Sequence, residues 1–106
     1  MLPGRYLFLF MVMIWGTNSV PAHAEMIQVT IDKLVFSPEQ FKAKVGDTIA
    51  WINKDIVAHT ATARGDRDVM IPANESASLV LTKAGIVEYY CRFHPNMEGR
   101  ITIAPE

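Results

Sequence analysis

The sequence has little of the chemistry that most enzymes and nucleic-acid-binding proteins need. Of its 106 residues, one is cysteine and three are histidine. A single cysteine excludes an internal disulfide framework, and so few histidines exclude enzymes with several imidazole-rich metal centres. Ten Lys and Arg balance eleven Asp and Glu, so the chain lacks the positive charge that nucleic acid requires. The length is that of one small domain.

The N-terminal segment has the pattern of an export signal. Arg5 precedes an unbroken apolar run at 6–15, and the segment ends in Ala22-His23-Ala24. A basic start, an apolar middle and an A-x-A end are typical of a secretory signal peptide. We therefore predict a cleaved Sec-type signal peptide at 1–24, a single domain at 25–106 and a periplasmic location. The alternative is a membrane anchor, but ten helical residues rise about 15 Å, roughly half the hydrocarbon thickness of a bilayer.

The rest of the chain alternates between turn signals and short runs rich in Ile, Val and Thr. Eight such runs are expected to be strands: 26–31, 34–36, 41–45, 48–52, 58–63, 76–81, 86–91 and 100–103. Seven or eight short strands at roughly ten-residue spacing indicate an all-β fold, an antiparallel β-sandwich. No substantial helix is expected, and the charged segment 64–68 is predicted to be a solvated loop.

The most distinctive pattern lies near the C-terminus, where Cys91, His94 and Met97 are spaced three residues apart. Pro95 argues against a continuous helix, so we expect a tight loop that curls these side chains around one point. Thiolate and thioether are soft ligands and imidazole is borderline, a set that suits copper better than magnesium or calcium. A methionine sulfur is also a poor fourth ligand for zinc.

Blue copper electron-transfer sites use two histidines, one cysteine and a weak axial methionine. With the leader removed, the one further histidine is His59, which makes His59, Cys91, His94 and Met97 the candidate metal ligands. Taken singly, a cysteine or methionine is more often a core residue, and a histidine is more often simply hydrogen-bonded. Their joint occurrence in this order favours copper.

Three segments resemble the cupredoxin family, in particular its amicyanin-like members with a short ligand loop. They are 49–53, His59-Thr60 and 89–99. The resemblance implies a Greek-key β-sandwich that holds one type 1 copper. It also implies that His59, Cys91 and His94 are equatorial ligands and Met97 the axial one, with His94 near the surface and His59 more enclosed.

The function implied by the resemblance is that of a blue copper electron carrier rather than an enzyme. Its expected partners are soluble redox proteins, such as a c-type cytochrome or a quinone-cofactor dehydrogenase, and it is expected to act as a monomer. The alternative is a copper chaperone or storage module, which would need labile, methionine-rich ligands. The predicted mature chain has only Met26, Met70 and Met97. A copper oxidase or reductase would need histidines for a second centre.

Two residues depart from the amicyanin pattern. Thr60 stands where many relatives have Asn, and Phe93 where amicyanins have Pro. Because Phe93 has a backbone N–H that proline lacks, we predict that it donates a hydrogen bond to the Cys91 sulfur and lowers the reduction potential. The segment 70–72, Met-Ile-Pro, is either a docking patch for a partner or an anchor in the core, and the sequence leaves both open.

Overall fold

The computed structural model describes residues 23–106, and nearly all of the predicted signal peptide lies outside this range. The described part of the chain contains nine strands and no helix, which confirms the all-β prediction. The strands are β1 Met26–Asp32, β2 Val35–Ser37, β3 Gln40–Lys44, β4 Thr48–Asn53, β5 His59–Ala63, β6 Arg67–Ile71, β7 Ser76–Val80, β8 Gly85–Tyr90 and β9 Glu98–Ala104. Between residues 23 and 106, no helix has the length and hydropathy needed to cross a membrane.

The strands form two sheets that enclose one core. One sheet has the order β2-β1-β4-β7 and the other the order β3-β9-β8-β5-β6. Most neighbouring strands are antiparallel, but β1 pairs with β4, and β3 with β9, in parallel. The sheets are therefore mixed rather than wholly antiparallel. The period-2 alternation of a strand reports which face is buried and not the direction of its neighbour, so the sequence pattern could not show this.

One strand, β6, was not among the eight predicted strands. It begins inside the segment 64–68, which was expected to be a solvated loop. Arg67 and Asp68 pair with Ala63 and Thr62 of β5 across a tight turn. Gly65 occupies this turn with a φ of 73°, a conformation that glycine adopts without steric cost. The side chains of Arg67 and Asp68 are charged and about half exposed, so the start of the strand lacks the apolar alternation that would reveal it.

The core is centred on three aromatic side chains. Tyr89 packs edge-on against Phe36 and Trp51, with ring centroids 4.9 and 5.7 Å apart. The Trp51 indole N–H donates a hydrogen bond of 3.3 Å to the Tyr89 hydroxyl, which gives the buried polar ends of both rings a partner. Burial raises the pKa of Tyr89 to about 12.

The pairing of β5 with β8 decides where the chemistry lies. These antiparallel strands pair at Thr62 and Tyr90, so the start of β5 and the end of β8 fall at the same end of the sandwich. His59 is the first residue of β5, and Cys91 directly follows β8. A rigid sheet therefore brings together two residues that are far apart in the sequence.

Candidate metal centre

The loop that carries three of the four candidate ligands is a succession of tight turns. The amide of His94 donates to the Cys91 carbonyl at 3.2 Å, and the amide of Met97 donates to the His94 carbonyl at 2.8 Å. The Cys91 amide closes the loop by donating to the Met97 carbonyl at 3.1 Å. The first of these turns brings the side chains of two candidate ligands together, because the Cys91 Sγ and the His94 Nδ1 lie 3.7 Å apart.

The structure brings His59, Cys91 and His94 together. The Cys91 Sγ lies 3.8 Å from Nδ1 of His59 and 3.7 Å from Nδ1 of His94. One ligand atom from each of the three residues lies within 4.8 Å of the other two. Three donors that each lie about 2.1–2.3 Å from a common ion in a trigonal arrangement would be separated by about 3.6–4.0 Å. The sulfur–nitrogen distances fit this arrangement.

The chemistry of these donors fits copper. One thiolate and two imidazoles form the trigonal set of a blue copper centre. His59, Cys91 and His94 therefore form a candidate copper site, and Cys91 would bind the metal as a thiolate. Met97, the predicted axial ligand, is buried at the end of the loop, and its role as a ligand stays a prediction.

A carboxylate that the sequence analysis missed sets the orientation of His59. The Asp55 carboxylate lies 2.8 Å from Nε2 of His59. Since a carboxylate accepts and does not donate, Nε2 carries a proton, and in the neutral ring this leaves Nδ1 with its lone pair towards Cys91. Outer hydrogen bonds of this kind fix the tautomer and ring orientation of metal-binding histidines. An acidic residue four positions before a candidate ligand is too common to have signalled this role.

Asp55 is itself held in place. It accepts hydrogen bonds from the amides of Lys33 and Leu34 at 2.8 and 3.0 Å, and both of those residues have positive φ. Burial raises the pKa of Asp55, but the hydrogen bonds from Leu34, His59 and Lys33 outweigh it and lower the pKa below the usual value. The carboxylate is therefore ionised at neutral pH.

The hydrogen-bond donor to the sulfur differs from the predicted one. The Thr60 amide donates to the Cys91 Sγ at 3.4 Å. Among residues 23–106, the Phe93 amide makes no hydrogen bond to this sulfur, so the expected effect of Phe93 on the potential loses its basis. The reason is the sheet: β5 runs beside the Cys91 segment and directs the Thr60 amide at the sulfur.

The two histidines differ in exposure. His59 is completely buried, whereas His94 is half-buried. Its neighbour Phe93 leaves 48% of its surface exposed. The expectation that His94 lies near the surface and His59 is enclosed therefore agrees with the structure.

The segment 70–72 contains both a buried residue and an exposed one, and a docking role for it stays a prediction. Ile71 is fully buried and pairs with His59 across β5 and β6, so it anchors the segment in the core. Met70 pairs with Thr60 and is about half exposed. Strand alternation thus places Ile71 inward and Met70 on the surface near the candidate copper site.

Comparison with known proteins decides the family. The profile of the Cupredoxin-like domain matches residues 5–103. This chain belongs to the cupredoxin-like family. The resemblance noted in the sequence is confirmed.

The relatives of this cupredoxin include amicyanins. It is 32% identical to amicyanin from Paracoccus denitrificans over 84 residues, an alignment that covers 73% of this chain and 64% of that protein. The solved structure of amicyanin from Paracoccus versutus is 26% identical to this chain, with a TM-score of 0.65. The alignment covers 79% of this chain and 84% of the amicyanin chain. A reduced Cu(I) form of an amicyanin mutant is 31% identical, with a TM-score of 0.64 and coverages of 79% and 85%.

Proposed function

We propose that this protein is a periplasmic blue copper carrier that transfers single electrons between soluble redox partners and is not an enzyme. We further propose that His59, Cys91 and His94 are the equatorial ligands of one type 1 copper, and that Met97 is the weak axial ligand. The observation that carries the proposal is the convergence of Cys91 Sγ with the two Nδ1 atoms at 3.8 and 3.7 Å.

Bound copper would supply a one-electron couple between Cu(II) and Cu(I). The protein's own residues would keep the donor positions nearly constant in both oxidation states, which a fast carrier needs. Asp55 holds the His59 ring, and the Thr60 amide donates to the sulfur. His59 and Cys91 are fully buried, so water and small substrates are kept from that side of the site. This favours a carrier over an enzyme.

Electron exchange with partners would occur at the loop surface. His94 is the half-buried member of the site, and the exposed side chains of Phe93 and Met70 give the surrounding surface an apolar character. Such a surface suits brief docking with another soluble redox protein. We propose a c-type cytochrome or a quinone-cofactor dehydrogenase as the partner, and stopped-flow mixing with candidates from the same genome tests this.

The function is tested optically. Addition of one equivalent of Cu(II) to the purified protein is expected to give an intense blue colour that a reductant bleaches reversibly. The matched control is Cys91→Ser, which keeps the size of the side chain but removes the thiolate and should abolish the colour. A colourless complex that a chelator removes easily would instead support the copper chaperone or storage function.

The location is tested separately. The proposal of export rests on the leader pattern at 1–24. After expression of the full chain in a Gram-negative host, we expect the protein in the periplasmic fraction with Glu25 as its first residue. Full-length protein that remains in the cytoplasm would contradict export without affecting the copper proposal.

A further inference from the structure

A closed ring of hydrogen bonds connects the peptide after Cys91 to a surface carboxylate. The Arg92 amide donates to Thr60 Oγ1 at 2.8 Å, and the hydroxyl oxygens of Thr60 and Thr62 are 2.8 Å apart. The Thr62 hydroxyl lies 2.6 Å from the Asp68 Oδ1. The same oxygen accepts from Nε of Arg92 at 3.0 Å, so the ring begins and ends on Arg92.

The direction of each bond follows from the available protons. The Asp68 carboxylate can only accept, so the single hydroxyl proton of Thr62 goes to Asp68. Thr60 must then donate its own proton to Thr62, which leaves the Thr60 oxygen to accept from the Arg92 amide. The bonds from the Arg92 amide through the two hydroxyls therefore all run towards Asp68, which also accepts from Arg92 Nε, and in such a chain each bond strengthens the next.

The ring runs from solvent to the candidate copper site. Thr60 is fully buried and Thr62 nearly so, whereas the Asp68 side chain is 51% exposed. Hydrogen bonds from Arg92 and Thr62 lower the pKa of Asp68, so it is ionised at neutral pH. The Asp68 carboxylate is thus linked to the Arg92 amide through the hydrogen bonds of two hydroxyl groups, rather than by direct contact with a candidate copper ligand.

Both peptides that flank Cys91 are tied to β5. Tyr90 pairs with Thr62, and the Arg92 amide binds the Thr60 side chain. The Thr60 amide also donates to the Cys91 sulfur. A rotation of the peptide after Cys91 would break the ring, so the ring restricts the movement of the sulfur.

We propose that Asp68 is a positioning residue for the Cys91 sulfur. It orients the Thr62 and Thr60 hydroxyls so that they hold the Arg92 peptide, and it binds the Arg92 guanidinium directly. The consequence for copper rests on the proposed function, but the positioning of the sulfur can be measured without metal.

The first experiment uses the metal-free protein. In Asp68→Ala and Thr62→Val, we expect hydrogen exchange at the Arg92 amide and alkylation of Cys91 to accelerate by about three- to tenfold, the effect of losing one hydrogen bond. Thr62→Ser retains the hydroxyl and should restore both rates. The matched control is Asp66→Ala, which removes the same charge two residues away, in the turn before β6, at a side chain that is 45% exposed.

The second experiment uses the copper-loaded protein. Thr62→Val changes no charge, yet it should shift the reduction potential and the sulfur-to-copper absorption band, while Thr62→Ser and Asp66→Ala should stay close to the wild type. Asp68→Ala should shift the reduction potential and the absorption band, and it should also accelerate exchange of the Arg92 amide.

The results separate the two proposals. If the wild-type protein forms no blue complex with Cu(II), the proposed function is refuted. The exchange and alkylation rates of the metal-free variants would still decide the role of Asp68. Unchanged exchange and alkylation in Asp68→Ala and Thr62→Val would overturn that role, as would equal changes in Asp66→Ala. In a blue wild type, an unchanged potential in Thr62→Val would also overturn it.

Discussion

Asp55 Oδ2 and His59 Nε2 lie 2.8 Å apart. In the neutral ring this contact places the proton of His59 on Nε2, and Nδ1 faces the Cys91 sulfur at 3.8 Å. The Asp55 carboxylate thereby holds the His59 ring in an orientation suited to metal binding before any metal is bound.

Replacement of Asp55 should weaken metal binding. Asp55→Asn is nearly isosteric but removes the charge, so the His59 ring loses its strongest orienting partner. We expect the affinity for Cu(II) to fall by about 10–100-fold, as measured by competition with a chelator. Asp32→Asn, at an exposed carboxylate, is the control. Equal affinities in Asp55→Asn and the wild type would contradict this role.

The proposed axial role of Met97 can be separated from a packing role. Met97→Leu preserves apolar volume but removes the thioether, which would donate to Cu(II) if Met97 is the axial ligand. We expect the reduction potential to rise, because the axial ligand tunes the potential of such sites. Met70→Leu makes the same change at an exposed methionine and should leave the potential in place. If voltammetry gives the same potential for Met97→Leu and the wild type, Met97 is a core residue only.

A charge near the loop surface should slow electron exchange between copies of the protein. Met70→Lys places a positive charge on the proposed docking surface, so two copies would repel each other as they approach. We expect a several-fold slower electron self-exchange at low ionic strength, and salt should reduce the difference by screening. Val80→Lys, at a similarly exposed position on β7, is the control. Equal slowing by both variants would argue against a docking surface at Met70.

Gly99 is required by the packing of Tyr89. The two residues are directly opposite each other on β8 and β9, and a Cβ at Gly99 would lie 2.6 Å from the Tyr89 hydroxyl oxygen. We expect Gly99→Ala to destabilise the protein by about 1–3 kcal/mol, as measured by denaturant unfolding. In a Tyr89→Leu background the same substitution should cost less. An equal cost in both backgrounds would show that the ring is not the obstacle.

Asp47 should make stability depend on pH in the acid range. Its buried carboxylate accepts hydrogen bonds from the backbone nitrogens of Glu25 and Lys44, which lower its pKa below 3.8. Its contribution is therefore complete above the unfolded-state pKa, about 3.9, and is lost as the pH falls through the lower folded-state pKa. The wild type should be more stable than Asp47→Asn at pH 7, and the denaturant midpoints should converge as the pH falls below the folded-state pKa of Asp47. A constant difference would contradict this assignment.

The sequence alone was sufficient to predict the all-β class and to select the residues that the structure brings together. Strand alternation is a local property, and the spacing of Cys91, His94 and Met97 is set within one loop. The selection of His59 depended on a different argument, because it was the one histidine left after the leader was set aside. Its approach to Cys91 required the pairing of β5 with β8.

Only the tertiary structure decided which residues support the site. Asp55 and Asp68 are ordinary acidic residues in the sequence, and their roles arise from contacts with His59, Thr62 and Arg92. The sequence also could not show the parallel strand pairs or the hydrogen bond from the Thr60 amide to the Cys91 sulfur. Periodicity and local spacing report the face of a strand and the shape of a turn, whereas a hydrogen-bond partner on another strand is set by sheet order and register.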